Sequence, residues 1–327
     1  MQKLVDSRGR AKRKLRISLT DRCNFRCPYC MPETPKWLPR EELLSFEEIL
    51  TLAHCFVARL GTTHIRLTGG EPLLRKGIGE LVSQLQSLRT LGMERLSMTS
   101  NGMLLPQHAG ALKAAGLDDI NVSLDTLDPL RFADLSGGRG SVEEVTSGIE
   151  AAVDAGIEVK INSVIMRGHN EQDILPLIDW ASQRQLPLRF IEFMPLDSGN
   201  EWNNSKVVSE AEILATVATE HQITKQANSS DPATYYQLEN GYQLGIIPTI
   251  SNPFCKSCNR LRLTATGELY ACLFSATGRD LRTPLREGVD AEALEAIIRG
   301  HVWHKEAGYA LKPGYVERPI SMHALGG

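Results

Sequence analysis

Thr63-His-Ile-Arg-Leu-Thr-Gly-Gly-Glu-Pro72 is rich in β-forming residues, stops at a glycine pair and leads into an amphipathic pattern through roughly residues 77–91. It reads as a strand, a turn and a helix. The unit recurs in both directions. Upstream, residues 16–20 read as a strand, and Ser45-Phe-Glu-Glu48 offers a capping box for a helix to about residue 60. Downstream, strands are expected over residues 96–102, 119–125, 159–165 and 188–194, and helices over 107–115, 141–155 and 171–183. Strands alternating with helices imply parallel βαβ units, and no doubly wound dinucleotide fingerprint is present. The expected fold is α/β, an incomplete TIM-type (βα)6 barrel over residues 1–195. Residues 196–327 lack this rhythm and are expected to form a C-terminal region that closes the open side. It reads as a loop over 197–205, a helix over 209–220 and short strands over 235–250.

Polar residues gather where the strands end: Thr68, Gly69 and Gly70; Thr99 and Asn101; Ser123 and Asp125; Lys160 and Asn162; Glu192 and Met194. Barrel enzymes keep their sites at that end. Turn chemistry explains the glycines and Asn101 singly, but not such a concentration on so many strands.

The chain of 327 residues is 42% apolar and 23% charged, enough for one large core with a smaller appended region. Its net charge is −3, and Lys12-Arg13-Lys14-Leu-Arg16 is too short to be a nucleic-acid footprint. The start has no signal-peptide pattern, and no apolar run approaches bilayer length, so a cytoplasmic protein is expected. Seven cysteines form a poor disulfide framework, because six of them fall in two groups of metal-ligand spacing. Cys23, Cys27 and Cys30 share one loop, and Cys255, Cys258 and Cys272 lie near the other end. Structural zinc prefers two separated pairs, so three thiolates on one loop favour an iron–sulfur cluster with a distant fourth ligand or an open iron. Cys255-Lys-Ser-Cys258 alone would suit a zinc ribbon, but beside an iron–sulfur loop a second cluster is the better reading. Cys55, in an apolar helical pattern, reads as a buried free thiol.

The loop with Cys23, Cys27 and Cys30, with Tyr29 before the last cysteine, and Gly69-Gly-Glu-Pro72 after the second strand resemble the radical S-adenosylmethionine enzymes. Within them, Leu15-Arg-Ile-Ser-Leu-Thr-Asp-Arg-Cys-Asn-Phe-Arg-Cys27, Cys255-Lys-Ser-Cys-Asn-Arg-Leu-Arg262 with Cys272, and the terminal Gly326-Gly327 resemble the GTP 3′,8-cyclase family of molybdenum cofactor biosynthesis. The likeness covers essentially the whole chain. It implies a [4Fe-4S] cluster on Cys23, Cys27 and Cys30 whose open iron chelates S-adenosylmethionine, in a pocket that includes Tyr29, Gly70, Ser123 and Met194. Gly70 is expected to allow close approach of that ligand. A 5′-deoxyadenosyl radical would remove hydrogen from C3′ of GTP, and the carbon radical would close onto C8 of guanine. A second [4Fe-4S] cluster on Cys255, Cys258 and Cys272 would bind the guanine.

The same resemblance places Arg16, Arg66, Thr99, Lys160, Arg260, Leu261 and Arg262 around the triphosphate, which suits guanidinium and ammonium donors. Arg66 and Lys160 lie inside apolar strands, where an unpaired charge is costly. The tail, Gly326 and Gly327, is expected to enter the cavity and assist catalysis. A homodimer and a downstream cyclic pyranopterin monophosphate synthase are implied as partners, with no nucleic acid and no membrane. Two other readings compete. A radical enzyme modifying a peptide or RNA usually carries more C-terminal cysteines and no Arg-Leu-Arg after its CxxC. An electron carrier or zinc-stabilised binding protein needs no large barrel with a glycine-lined pocket.

Overall fold

The computed structural model describes residues 3–32, 34–196, 202–227, 232–308 and 321–326. Parallel strands β1 (Lys14–Ser18), β2 (His64–Thr68), β3 (Arg95–Ser100), β4 (Asp119–Ser123), β5 (Glu158–Ile165) and β6 (Leu188–Glu192) lie side by side in chain order. Between them run α1 (Phe46–His54), α2 (Ile78–Leu85), α3 (Leu105–Ala114), α4 (Pro129–Ser136), α5 (Val142–Asp154) and α6 (Ile174–Gln183). Ser45 with Glu48, and Ser141 with Glu144, close capping boxes at α1 and α5, which satisfies backbone donors that helix starts leave open. α4 was not expected from the βα rhythm, although its signals are ordinary: Asp128 accepts from Arg131 N, Pro129 occupies the first turn and Gly137 stops the helix at φ 67°.

The C-terminal region holds α7 (Glu210–Val217), β7 (Ile223–Lys225), β8 (Thr234–Leu238), β9 (Gln243–Ile247), β10 (Arg260–Leu263), β11 (Glu268–Tyr270), β12 (Arg279–Asp280), α8 (Arg282–Arg286), α9 (Ala291–Trp303) and α10 (Met322–Leu325). Instead of only covering the open side, it widens the sheet. β9 pairs parallel with β6, and β10 pairs parallel with β1. One 12-stranded sheet results, in the order β12-β11-β10-β1-β2-β3-β4-β5-β6-β9-β8-β7, and it does not close. The incomplete barrel expected from the sequence is the architecture observed. β9 lies within the short strands expected over 235–250, but its parallel pairing with β6, and β10 itself, escape a sequence reading because each is short and no local pattern names its partner.

Register fixes what faces inward. Arg16 lies between Arg262 and Arg66, Arg66 beside Ser97, Thr99 beside Asn121, Asn121 beside Lys160, and Asn162 beside Arg189. Side chains alternate along a strand, so these polar residues share one face. The opposite face carries Leu15, Ile17, Ile65, Leu67, Leu96, Met98, Ile120 and Val122, all 0% exposed and packed with Ile49, Leu81, Val82, Leu112 and Ile149 of the helices. Each such side chain contributes roughly 1.5–3 kcal/mol. A TIM barrel usually fills its interior with branched apolar residues. Here the inner face is polar, and Arg16, Arg66, Thr99 and Lys160 remain partly exposed on it. The inside is therefore a cavity built for a polar ligand, and the core lies outside it.

Candidate active site

The loop after β1 carries Cys23, Cys27 and Cys30, all free thiols. The turn after β2 holds it: Gly70 N donates to Thr20 O at 2.8 Å, and Glu71 N donates to Arg22 O at 2.8 Å. A Cβ on Gly70 would overlap the Arg22 carbonyl and lie 2.8 Å from Asp21 O, and one on Gly69 would lie 2.8 Å from Thr20 O. The glycine pair is thus needed for backbone to pack on backbone, a requirement separate from the expected close approach of a ligand at Gly70. Gly70→Ala is expected to cost about 1–3 kcal/mol through this overlap. Because the strain falls on the loop, iron retained by the protein should drop before its melting temperature does. Full iron content in that variant would show that the loop tolerates the displacement.

Cys30 N and Met31 N both donate to Cys27 O, at 2.9 and 3.0 Å, folding the loop into a tight turn. Burial, then the Glu71 carboxyl, pushes the Cys23 thiol up to about 11. Burial pushes Cys30 to about 12 and Cys27 well above the usual thiol range. Such thiols ionise when a metal replaces the proton. Three thiolates on one loop can each ligate a different iron of a cluster. The donor set and the turn therefore suit a cluster with an open iron.

Glu71 is 0% exposed; it accepts from Leu73 N at 3.0 Å, Ser100 Oγ at 3.0 Å and Asn101 N at 2.8 Å, yet burial raises it to about 7. A carboxyl raised on folding binds its proton more tightly in the folded state. Its stabilising effect is complete below its ordinary value and is lost as pH rises through about 7. The metal-free chain should therefore lose about 3 kcal/mol between pH 4.5 and 7 from this group, and Glu71→Gln should flatten that part of a melting-temperature profile. An unchanged slope in the variant would assign the pH dependence elsewhere.

Tyr29 O–H donates to Asp125 Oδ2 at 2.5 Å, and Val164 N donates to Asp125 Oδ1 at 2.8 Å. Burial lifts Asp125 to about 6 and, with Asp125 beside it, holds the Tyr29 phenol well above its usual range. Tyr29 packs on a small cluster of Leu135, Met166 and Phe193, next to Met194 at the end of β6, while Ser123 ends β4 on the inner face. Tyr29, Ser123 and Met194 therefore stand at neighbouring strand ends beside the cysteine loop.

Arg16 lies deep in the barrel yet open to its hollow. Burial pushes its guanidinium well below the usual range, and Arg262, Arg66, Arg260 and Arg189 push it further. It has no hydrogen bond or ion pair among the described residues. Arg66 does have a partner, Asp119 at 3.2 Å, which Arg95 also engages. The expectation that its charge lacks a partner inside the strand is therefore corrected, because Asp119 is buried beside it. Burial lowers Lys160, with Asp119 acting against the shift. Thr99 shares this inner face, and Arg260 stacks over Phe254 with its guanidinium 4.3 Å from the ring centroid. Leu261 differs: its side chain is 1% exposed and sits in the core opposite Leu15, so only its backbone can reach the cavity. Arg189, donating to Asn162 Oδ1 at 3.0 Å, is an inner-face cation the sequence reading missed. Its available signal is a lone cation between the apolar Leu188 and Phe190 in an expected strand.

At the other group, Cys255 and Cys258 bracket a short helical turn and Cys258 N donates to Cys255 O at 3.3 Å. Burial acts to raise the Cys258 thiol, but Arg260 and Lys305 outweigh it and bring it down to about 6. Cys272 Sγ accepts from Phe274 N at 3.5 Å. In the tail, α10 brings His323 N within 3.4 Å of Cys30 O, and Arg262 Nη1 donates to Gly326 O and, at 3.4 Å, to Leu325 O. Gly326 has φ 77°, and a Cβ there would lie 2.6 Å from Thr68 Cγ2. Gly327 lies outside the described residues. His323, unplaced by sequence, is 7% exposed and its ring is tied to Ser321 Oγ at 2.8 Å.

The chain matches the family model of the Radical SAM superfamily over residues 17–181 and that of Molybdenum Cofactor Synthesis C over residues 186–311. A GTP 3′,8-cyclase of Rhodopirellula baltica is 44% identical over 99% of this chain and 92% of its own length. A GTP 3′,8-cyclase of Streptomyces coelicolor is 41% identical over 99% and 96%. The chain belongs to the GTP 3′,8-cyclase family of the radical SAM superfamily. The fold alone is shared with Streptococcus suis SuiB bound to S-adenosylmethionine, at TM-score 0.59 and 14% identity over 88% of this chain and 68% of that one.

Against this family background, one strand-end residue has a structural task. Glu192 accepts from Glu210 N at 2.7 Å, Ile250 N at 2.7 Å and Ser251 N at 2.8 Å, and so ties β6 to the C-terminal region. Among the described residues no helix is long and apolar enough to cross a membrane.

Proposed function

We propose that this chain converts GTP to its 3′,8-cyclised nucleotide, the first step of molybdenum cofactor biosynthesis. The curated relatives named GTP 3′,8-cyclase and the two family models support that activity. The single observation that carries the substrate class is Arg16, an internal guanidinium without a counter-ion among the described residues and with Arg262, Arg66, Arg260 and Arg189 around it. Mutually repelling cations facing a cavity are stabilised by a polyanion, and a triphosphate supplies one.

In this reading Cys23, Cys27 and Cys30 hold the first [4Fe-4S] cluster, and Tyr29, Gly70, Ser123 and Met194 line the S-adenosylmethionine site. Cys255, Cys258 and Cys272 hold the second cluster. Arg16, Arg66, Thr99, Lys160, Arg260 and Arg262 grip the phosphates, and Leu261 contributes through its backbone. When bound, the first cluster supplies an electron and S-adenosylmethionine the 5′-carbon that takes up a hydrogen atom. The inner-face cations fix the ribose by fixing its phosphates, so that C3′ rather than another carbon faces the first cysteine loop. The second cysteine loop, continuous with Arg260 and Arg262, holds the base so that C8 meets C3′. Gly326, seated against Thr68 and held by Arg262, borders this space, and in this reading the tail ending in Gly327 enters it and assists catalysis.

Forming a bond from C3′ to C8 requires loss of the C3′ hydrogen. GTP deuterated at C3′ should therefore deliver one deuterium into 5′-deoxyadenosine, whereas transfer from any other position would overturn this placement of the ribose. From the same family membership we infer a cytoplasmic homodimer that passes its product to a cyclic pyranopterin monophosphate synthase; a purely monomeric holoprotein in sedimentation would refute the dimer.

A further inference from the structure

The surroundings of the two cysteine loops differ in sign. Around the second loop, Lys305 Nζ donates to Cys258 Sγ at 3.3 Å and to Arg260 O at 3.2 Å. Lys305 is only 5% exposed. Lys12, 1% exposed, donates to Cys258 O at 2.8 Å, and Arg10 Nη1 donates to Cys255 O at 2.8 Å. Both are anchored by Asp6, which lies 2.8 Å from Lys12 Nζ and 2.6 Å from Arg10 Nε. Arg10 also binds Ala307 O at 2.9 Å and Glu306 O at 2.7 Å, so the N-terminal segment clasps the loop and the stretch carrying Lys305 together. Asp6 is an acid in this group, beside the cations Arg10, Lys12, Lys305 and Arg260.

Around the first loop the buried acidic side chains are Glu71, whose backbone N donates to Arg22 O at 2.8 Å, and Asp125, which accepts from Tyr29 O–H at 2.5 Å. Arg26 is present, but it donates to the carbonyls of Cys23 and Phe25, both at 2.7 Å, and stacks over Trp37. Among the described residues no cation donates to the sulfur of Cys23, Cys27 or Cys30; Cys23 Sγ accepts from Phe25 N at 3.4 Å and Asn101 Nδ2 at 3.8 Å.

We propose that Lys305, backed by the Asp6, Arg10 and Lys12 clasp, raises the reduction potential of the second cluster. This rests on the reading that Cys255, Cys258 and Cys272 carry a cluster. The physical cause is general: a reduced cluster carries one more negative charge, so buried cations and N–H donors to its sulfurs favour reduction, and buried carboxyls oppose it. The sequence separation explains why no motif announces it. Lys12 and Lys305 stand at opposite ends of the chain and meet only because β10 lies against β1.

The test is an electron paramagnetic resonance titration, poised with dithionite and mediators, on the reconstituted full chain in which Cys23, Cys27 and Cys30 are all serine. That protein should hold about four irons, all in the second cluster. At a fixed poise, Lys305→Met should lower its reduced-to-oxidised ratio about tenfold, equal to about 59 mV for one electron. Lys305→Arg keeps the cationic donor and should restore the ratio to near that of the parent. If Lys305→Met does not retain the cluster, Lys305→Gln, which keeps an N–H donor and loses only the charge, carries the same expected direction. A ratio unmoved by loss of the charge at full iron content overturns the proposal. A triple-serine parent that binds no iron instead overturns the second-cluster reading, and the proposal falls with it.

Discussion

Arg16→Ala is expected to weaken GTP binding by about tenfold to a hundredfold and, unlike most buried substitutions, to leave the ligand-free fold as stable or more so. A hydrogen bond to a charged group contributes about 1.5–3 kcal/mol, and each 1.4 kcal/mol is tenfold in affinity. The stability half of the expectation comes from the neighbours. Arg262, Arg66, Arg260 and Arg189 all press on Arg16, so its removal relieves repulsion that no described acid offsets. A structural arginine would behave in the opposite way, losing stability first. Equilibrium binding of GTP to anaerobic protein, read beside a melting curve, separates the two. Undiminished affinity with a lower melting temperature would remove Arg16 from the phosphate site.

Cys258→Ser is expected to remove one cluster, taking iron from about eight to about four per chain. A serine hydroxyl ionises far less readily than this thiol, which Arg260 and Lys305 hold at about 6 against burial, so the replacement is a poor ligand at neutral pH. Cleavage of S-adenosylmethionine takes place at the other loop and should persist at GTP concentrations high enough for the inner-face cations to hold its phosphates. Cyclised nucleotide should fall on the order of 100-fold or more, because loss of a ligand exceeds the 10–100-fold cost usual for its supporting partners. Iron and zinc analysis together decide the matter. A variant that still holds about eight irons, or a parent that holds stoichiometric zinc, would contradict the two-cluster assignment.

Much of this was legible in the sequence because it is local. Strand, glycine turn and helix repeat within short windows, and Ser45 with Glu48 and Ser141 with Glu144 mark helix starts three residues apart. The two cysteine groups announce themselves by spacing. What stayed hidden depends on register and on distance along the chain. That Arg16, Arg66 and Arg262 stand side by side follows from pairing β1 with both β2 and β10, and no local pattern tells β10 to join β1. Asp119, the partner that removes Arg66 from the list of unpaired charges, lies two strands away. At Gly70 the sequence suggests close approach of a ligand, while the backbone contact with Arg22 belongs to the fold. Lys12, in sequence only a member of a short basic run, is 1% exposed and paired with Asp6 across a turn at Gly9.

The most direct measurement is incubation of reduced, iron-loaded protein with S-adenosylmethionine, with and without GTP, followed by assay of both products. 5′-Deoxyadenosine and the 3′,8-cyclised nucleotide should appear in equal amounts, and both should depend on GTP. 5′-Deoxyadenosine formed at the same rate without GTP, with no cyclised nucleotide in its presence, would contradict the assignment of GTP as substrate.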